Sequence, residues 1–183
     1  AHKKEYHNAF PGGYVDHVNR VVSASLKIYD VWCEFEMDRS TFTIEELVFS
    51  AINHDLGKMG DENNESYIPQ TDKWRRDKLG EDYMFNSNEM LAIQTHDGLY
   101  DEANTKYLKA YMPEQKPRTS LPFILHQADL MSARIEFERE WLPKLRGENK
   151  SVEKQKGNYT LGTTPNSSKK MSSFSCVVGK SIV

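Results

Sequence analysis

Residues 43–58 read TIEELVFSAINHDLGK and contain a complete helix signal followed by a polar end. Thr43 and Glu46 have the spacing of a capping box, in which the hydroxyl and the carboxylate each bond a free backbone N–H of the first turn. The pattern predicts a helix from Ile44 to about Asn53, with Gly57 placed to stop it. The side chains predicted to face inward are Leu47, Val48, Ala51 and Ile52.

Apolar residues recur at spacings of three and four outside this stretch as well, which is typical of amphipathic helices. Four further helices are predicted: from Tyr14 to about Glu36, from Asn86 or Ser87 to about His96, from Asp101 to Met112, and from Ser120 to Pro143. In the last of these, Leu125, Ala128, Met131 and Ile135 share one face. The sequence therefore predicts an all-α, compact helical bundle.

Two segments depart from the helical pattern. Residues 60–85 form a long hydrophilic insert without a clear period, and connections of this length are uncommon and often functional. Residues 147–183 are rich in Ser, Lys, Gly and Thr, and their six Lys and two Glu give a balance of +4. We therefore expect one domain over residues 1–146, followed by a flexible tail over 147–183 that is partly disordered or weakly attached.

Composition limits the function classes. The 183 residues carry a net charge of −3, so the region before the tail carries −7, which suits cations better than a general nucleic-acid surface. No apolar run approaches the roughly 20 residues of a membrane helix, and no signal-peptide pattern opens the chain. Only Cys33, predicted to be a small buried hydrophobe, and Cys176 are present, which favours a reducing, cytoplasmic setting.

Histidine and aspartate recur where predicted helices begin, end or pack. His54 and Asp55 are adjacent at a helix end, His17 lies near the start of the first helix, and Asp129 lies among apolar residues of the last. Imidazole and carboxylate together suit a divalent metal such as Mn, Fe, Ni, Co or Zn, with Mg as an alternative. A lone helical histidine is more often structural, and Arg134 is an alternative partner for Asp129.

Four fragments in this order resemble the HD-domain metal-dependent phosphohydrolases. They are FPGGYVDH at 10–17, NHDLGK at 53–58, THDG at 95–98 and LHQAD at 125–129, and their motifs are most similar to the bacterial HD-domain 3′→5′ exoribonuclease branch. The resemblance spans about residues 6–137. It implies an HD-domain helical bundle, a metal held by His17, His54, Asp55 and Asp129, and hydrolysis of a phosphate ester in a nucleotide or nucleic acid.

One feature departs from the two-metal members of that superfamily, which commonly carry a further histidine after the HD pair. This chain has no histidine from position 56 to position 95. We therefore expect His96 to face the substrate phosphate or to complete a looser second site.

Roles for the remaining residues follow from hydrolysis by a metal-activated water. The predicted catalytic residues are Asp55, Lys58, His96 and Asp97. The predicted substrate-binding residues are Lys58, His96, His126, Arg134, Trp74 and Arg75. Alternatives are that Lys58 is a solvated helix-end cation, that Arg134 forms an ion pair with an acidic side chain, that Asp97 is an ordinary loop carboxylate, and that Trp74 anchors a surface turn.

The leading functional hypothesis is a cytoplasmic nucleotidase or phosphodiesterase acting on a small nucleotide or a short nucleic acid. A 3′→5′ exonuclease and a cyclic-nucleotide phosphodiesterase are alternatives within that class. A regulatory module that only binds metal or nucleotide, or a helical adaptor with structural histidines, would be the non-enzymatic alternatives. No membrane partner is expected, and the oligomeric state stays open, a homodimer being one option.

Overall fold

The computed structural model describes residues 8, 10–59 and 85–147. The α-helices in these ranges are α1 (Gly13–Glu34), α2 (Ile44–Asn53), α3 (Ser87–Thr95), α4 (Thr105–Leu108) and α5 (Leu121–Leu145). Short 3₁₀ turns cover Leu56–Met59, Gly98–Tyr100, Glu102–Asn104 and Pro113–Gln115. No strand occurs in the described ranges, and the all-α prediction is confirmed.

Helix α5 is the centre of the bundle. Both α1 and α3 pack along it, and α2 lies against α1 and α3. Their contact surfaces share one apolar core, made of Val21, Ala24, Phe42, Leu47, Ala51, Ala92, Leu121, Ile124, Leu125 and Ala128. Because all four helices meet there, polar side chains projecting from their inner faces are brought close together.

Linked caps set the starts of α2 and α3 side by side. The Glu46 N–H donates to Thr43 Oγ1 at 3.1 Å, and the Glu89 N–H donates to Asn86 Oδ1 at 2.9 Å, so both helices begin with a capping box. The Asn86 side-chain amide also donates to Glu46. Since the two helices start together and pack along each other, their C-terminal ends also lie together.

The predicted inward faces are partly wrong. Ile52 and Met131 are exposed, and Cys33 is half-buried with a free thiol. The inner face of α5 carries Ala128, then Ser132 and Glu136. The buried face of α5 therefore includes two polar residues, which the apolar pattern does not predict. They are stable there because their side chains form hydrogen bonds inside the protein.

The prediction of a helix from Asp101 to Met112 is also wrong, since only Thr105–Leu108 of this segment is α-helical. Asp101 accepts a hydrogen bond from the Ala103 N–H at 2.9 Å and starts a 3₁₀ turn instead. Buried Asn104 donates to the Gly98 carbonyl at 3.0 Å and holds the chain in this tight path.

The ends of the described ranges complete the fold. Helix α5 continues through Pro143, which was predicted to end it, because the Arg146 N–H still bonds the Leu142 carbonyl at 3.1 Å. Phe85, where the insert returns to the bundle, is buried and packs edge-on against Phe49. The rest of the predicted insert, residues 60–84, and the predicted tail after Gly147 lie outside the described residues. In the described part, no helix combines the length and the apolar character needed to cross a membrane.

Candidate metal centre

Three helices deliver the predicted ligands to one point inside the bundle, and a fourth adds His96 there. His17 lies in the second turn of α1, and Asp129 lies midway along α5. His54 is the C-cap of α2 and Asp55 follows it, while His96 is the C-cap of α3. His17, His54, Asp55 and His96 are buried, and Asp129 is nearly so.

The donor atoms of these residues converge. His17 Nε2 lies 3.1 Å from Asp129 Oδ1, 3.3 Å from His54 Nε2 and 3.6 Å from Asp55 Oδ2. His54 Nε2 lies 3.6 Å from Asp55 Oδ2 and 3.7 Å from Asp129 Oδ1. Two overlapping groups, His17–His54–Asp55 and His54–His96–Asp129, each have their ligand atoms within 4.8 Å of one another. The structure thus brings together all four predicted metal ligands.

Each imidazole is oriented through its other ring nitrogen. Nδ1 of His54 lies 2.8 Å from the Ala51 carbonyl oxygen, and Nδ1 of His96 lies 2.6 Å from the Ile93 carbonyl oxygen. A carbonyl only accepts, so in both rings Nδ1 carries a proton, and Nε2 is the nitrogen whose lone pair points to the centre once any proton on it is displaced. Metal-binding histidines are commonly fixed by this kind of second hydrogen bond.

His17 is oriented by a residue that the sequence-based prediction missed. Its Nδ1 lies 3.0 and 3.1 Å from the two carboxylate oxygens of Glu136, whose side chain is completely buried. Arg20 Nε donates to Glu136 Oε1 at 3.0 Å, and the Arg20 guanidinium also reaches Asp16 at 3.2 Å. A signal existed in the sequence, because Glu136 follows Asp129 by seven residues and so lies on the same face of α5.

A second unpredicted support holds the start of α1. Asn8 is buried, and its side-chain amide donates to the Gly13 carbonyl and to Asp16, both at 3.1 Å. A Cβ on Gly13 would lie 1.8 Å from the Asn8 carbonyl oxygen, so only glycine fits there. This contact explains Gly13, the φ of +84° explains Gly12, and together they position the turn that carries His17.

His96 adds a fifth donor to the predicted four. Its Nε2 lies 3.3 Å from Asp55 Oδ1 and is buried, with no partner in hydrogen-bonding geometry among the described residues. Its backbone carbonyl accepts a 2.7 Å hydrogen bond from Nδ1 of His126. The His126 ring fills the space beside Gly98, where a Cβ would lie 2.1 Å from ring atom Cε1. His126 therefore supports the turn that carries His96.

The electrostatics of the centre favour a cation. Burial disfavours charge on His17 and His96, but the carboxylates around them outweigh it and raise the pKa of each to about 9. Burial likewise disfavours the charged form of Asp55, yet neighbouring His96, His54 and Lys58 hold its pKa well below the usual range. Burial lowers the pKa of His54. Because buried ionised aspartates are costly without a partner, they need a nearby positive charge, which protons on the histidines or a metal ion would supply.

Two partly exposed charged side chains flank the centre. Lys58 Nζ contacts Asp55 Oδ2 at 2.6 Å, and its side chain is 36% exposed. Asp97, 57% exposed, has a carboxylate oxygen 3.6 Å from His96 Nε2. Asp55 and Asp129 outweigh burial and raise the pKa of Lys58, so its ammonium remains charged beside the two aspartates. Tyr14 also borders the site, and burial together with Asp55 raises its pKa to about 12.

The remaining predicted site residues fall elsewhere. Arg134 is on the outer surface of α5, where its Nε donates to Glu138 at 2.8 Å, so it forms the ion pair given as its alternative role. It is not the partner of Asp129, which contacts His17. Trp74 and Arg75 lie outside the described residues.

Comparisons with family models, with curated proteins and with solved structures found no match. The fold and the site themselves define a helical protein with a buried group of histidines and aspartates that could hold a metal ion. Mixed imidazole and carboxylate donors suit divalent transition metals better than Ca²⁺.

Proposed function

We propose that this protein is a metal-dependent phosphohydrolase of the HD type, acting on a phosphate ester in a nucleotide or short nucleic acid. The single observation that carries the proposal is the convergence of His17, His54, Asp55 and Asp129, from three helices, within the spacing of a metal site. The chain order His, His-Asp, Asp supports the HD assignment, as do the fragments around these residues.

The donor set fits a divalent metal such as Mn, Fe, Ni, Co or Zn. Such a metal lowers the pKa of water towards neutrality and so supplies a nucleophile for hydrolysis. The buried Nε2 of His96, whose nearest described partner is Asp55 Oδ1 at 3.3 Å, would bind a metal when the ring is neutral or donate to a substrate oxygen when the ring is protonated.

The charged side chains that flank the centre support catalysis over a purely structural metal site. Structural sites are closed by four protein ligands, whereas catalytic sites keep a position for water or substrate. Here Lys58 and Asp97 flank the centre and are partly exposed. The Lys58 ammonium is suited to neutralise a phosphate oxygen, and Asp97 is suited to carry a proton at the exposed edge.

The decisive experiment combines metal content with turnover. Purified protein is stripped with a chelator, reloaded with Mn²⁺, and assayed on a chromogenic phosphate ester, nucleoside mono-, di- and triphosphates, cyclic nucleotides and oligonucleotides. We expect bound metal and turnover of at least one substrate class. His54→Ala should lose both, and Asp129→Asn should do the same.

Asp30→Asn is the matched control, because Asp30 is a solvent-exposed carboxylate on α1. It should retain wild-type metal content and turnover. Turnover that survives His54→Ala would refute the site. Metal binding without turnover of any substrate would favour the alternative of a regulatory module.

A further inference from the structure

A second surface region lies around the segment that joins α4 to α5. It comprises two adjoining cavities of about 410 and 480 Å³ that share Pro117 and Phe123. We call it the cationic trough, and its main lining residues are Tyr107, Lys109, Tyr111, Lys116, Arg118 and, at the far end, Trp32. None of the lining residues belongs to the metal centre.

The trough is positively charged. Residues 105–118 contain Lys106, Lys109, Lys116 and Arg118 against one acidic residue, Glu114. In the described part of the chain no ion pair neutralises any of the four cations. The one carboxylate lining the cavities, Asp38, accepts hydrogen bonds from the backbone and hydroxyl of Ser40. This local surplus contrasts with the chain's net charge of −3.

Aromatic rings are interleaved with these cations. Tyr111 is 95% exposed, so its ring is free for a partner, and Tyr107 lies on the same cavity. At the other end, Trp32 and Phe123 stack with their planes 21° apart and their centroids at 6.5 Å. Tyr107, Trp32 and Phe123 are half-buried, and Lys106 Nζ lies 4.7 Å from the centroid of the Tyr107 ring. Tyr111 is therefore the ring most available for stacking. Cations beside an exposed ring are the features by which proteins hold unpaired nucleotides, through phosphate contacts and base stacking.

We propose that the cationic trough binds single-stranded nucleic acid. The inference rests on the proposed function and refines its substrate class: the chain is suited to an oligonucleotide longer than a dinucleotide. Trp32 follows His17 by fifteen residues along α1, which places it about 22 Å further along the helix axis. The trough therefore holds nucleotides remote from the hydrolysed ester.

Binding is tested on the full-length protein with chelator present, so that no metal or turnover is needed. The probes are fluorescent dT₁₂ and rU₁₂, unlabelled dT₂, and polyglutamate as a polyanion without bases. The test variant is Lys109→Gln/Lys116→Gln/Arg118→Gln. The matched control, Lys27→Gln/Lys144→Gln/Arg146→Gln, removes three exposed cations from elsewhere.

We expect the test variant to bind the 12-mers at least tenfold more weakly, with the log–log salt slope reduced by about 2, since each contact to a single strand contributes about 0.7. The control should bind like wild type. With Mn²⁺, the KM for a 12-mer should rise while the KM for dT₂ stays unchanged. Preference for rU₁₂ or dT₁₂ would tell RNA from DNA.

Stacking is tested separately at the most exposed ring. Tyr111→Ala should weaken 12-mer binding by about 5- to 150-fold, and Tyr111→Phe should restore it. Equal binding of polyglutamate, an unchanged salt slope in the triple variant, or no 12-mer binding by wild type would each overturn the inference. None of these results bears on metal content or on hydrolysis of a small ester, so the proposed function is judged independently.

Discussion

The metal centre and the cationic trough are two regions built in opposite ways. In the metal centre, buried carboxylates and imidazoles face each other at 3–4 Å, and each ring is held by a second hydrogen bond. In the trough, the cations Lys109, Lys116 and Arg118 and the Tyr111 ring are exposed on the surface. The first region is fixed before any ligand arrives, whereas the second leaves its side chains free to adapt.

This difference indicates different kinds of selectivity. A pre-oriented buried site discriminates by donor type and geometry, because misplaced donors cost metal affinity. A solvent-exposed cationic surface tracks a backbone charge and tolerates many sequences. The following tests separate the two regions, since each should respond to changes that leave the other unaffected.

The largest expected effect is the pH dependence of metal binding. His17 and His96 have pKa values raised to about 9, and a metal must displace their protons. Apparent Mn²⁺ affinity should therefore rise with pH up to about 9, by about tenfold per pH unit for each displaced proton. Calorimetry in buffers of different ionisation enthalpy measures how many protons are released when Mn²⁺ binds. A slope of two in the plot of log affinity against pH would place His96 among the ligands.

The stability of the metal-free protein should move in the opposite direction. A histidine whose pKa is raised in the folded state stabilises that state fully when the pH is below the ordinary pKa of about 6.5. This contribution is lost as the pH rises through the folded-state pKa of about 9. The gap in Tm between Mn²⁺-loaded and metal-free protein should thus widen from pH 6.5 to 9. No histidine lines the trough, so 12-mer binding should not follow this profile. Metal affinity that falls as pH rises would contradict the assigned ligands.

The next effect concerns the turn behind His96. Gly98 has φ +59°, and a Cβ would lie 2.1 Å from the His126 ring, which the His96 carbonyl holds in place. Gly98→Ala should cost about 2–5 kcal/mol of unfolding free energy, from left-handed strain and overpacking together. Gly12→Ala is the control, because Gly12 has φ +84° with nothing within 4 Å, and it should show only the strain, about 1–2 kcal/mol.

Denaturant unfolding measures both variants. Gly98→Ala should also weaken Mn²⁺ binding if His96 contributes to the centre, while 12-mer binding should be unchanged in the folded protein. Equal losses for the two glycine variants would show that the His126 ring moves aside freely and does not fix the turn.

Replacing Glu136 tests whether the orientation of the His17 ring affects metal binding, and its expected effect is smaller. Glu136→Gln keeps one acceptor for His17 but removes the charge shared with Arg20. Mn²⁺ affinity should fall by about 10- to 100-fold, the usual effect of losing a partner behind a metal ligand. The Co²⁺ absorption spectrum should shift as well, because the ring's orientation and basicity change. Glu138→Gln, an exposed carboxylate on the same helix, should leave both unchanged.

The sequence was sufficient for the parts of the fold that local rules control. The capping box of Thr43 and Glu46 was predicted because a capping box needs only two residues three apart, and the start of α3 was placed at Asn86 or Ser87. On α5, buried Leu125 and Ala128 were predicted correctly. The later turns were not, because Ser132 and Glu136 are inward polar residues whose partners come from distant or backbone groups. Periodicity counts apolar residues and so assigns such positions to the surface.

The candidate site divides in the same way. His17, His54, Asp55 and Asp129 were found because their types and order form a pattern in the chain. The role of Glu136 in orienting His17 was not predicted from the sequence. A carboxylate on a charged helix resembles a solvated residue until the packing of α1 against α5 is known. The broken helix after Asp101, which exposes the trough, depends on one buried side chain, Asn104, bonding the Gly98 carbonyl.

The smallest expected effect is at Arg134, which was predicted to bind substrate. Its ion pair with Glu138 spans one turn of an exposed helix surface, and such pairs contribute about 0.3–0.5 kcal/mol. The Arg134 guanidinium also lies 5.3 Å from the centroid of the Phe137 ring, a contact worth about 0.5–1 kcal/mol at an exposed site. Arg134→Ala should therefore lower the unfolding free energy by no more than about 1.5 kcal/mol, with Mn²⁺ affinity, KM and 12-mer binding unchanged. A raised KM with unaltered metal affinity would instead place the substrate's path along the outer side of α5. The trough would then no longer account for the length preference, since Arg134 is not among its lining residues.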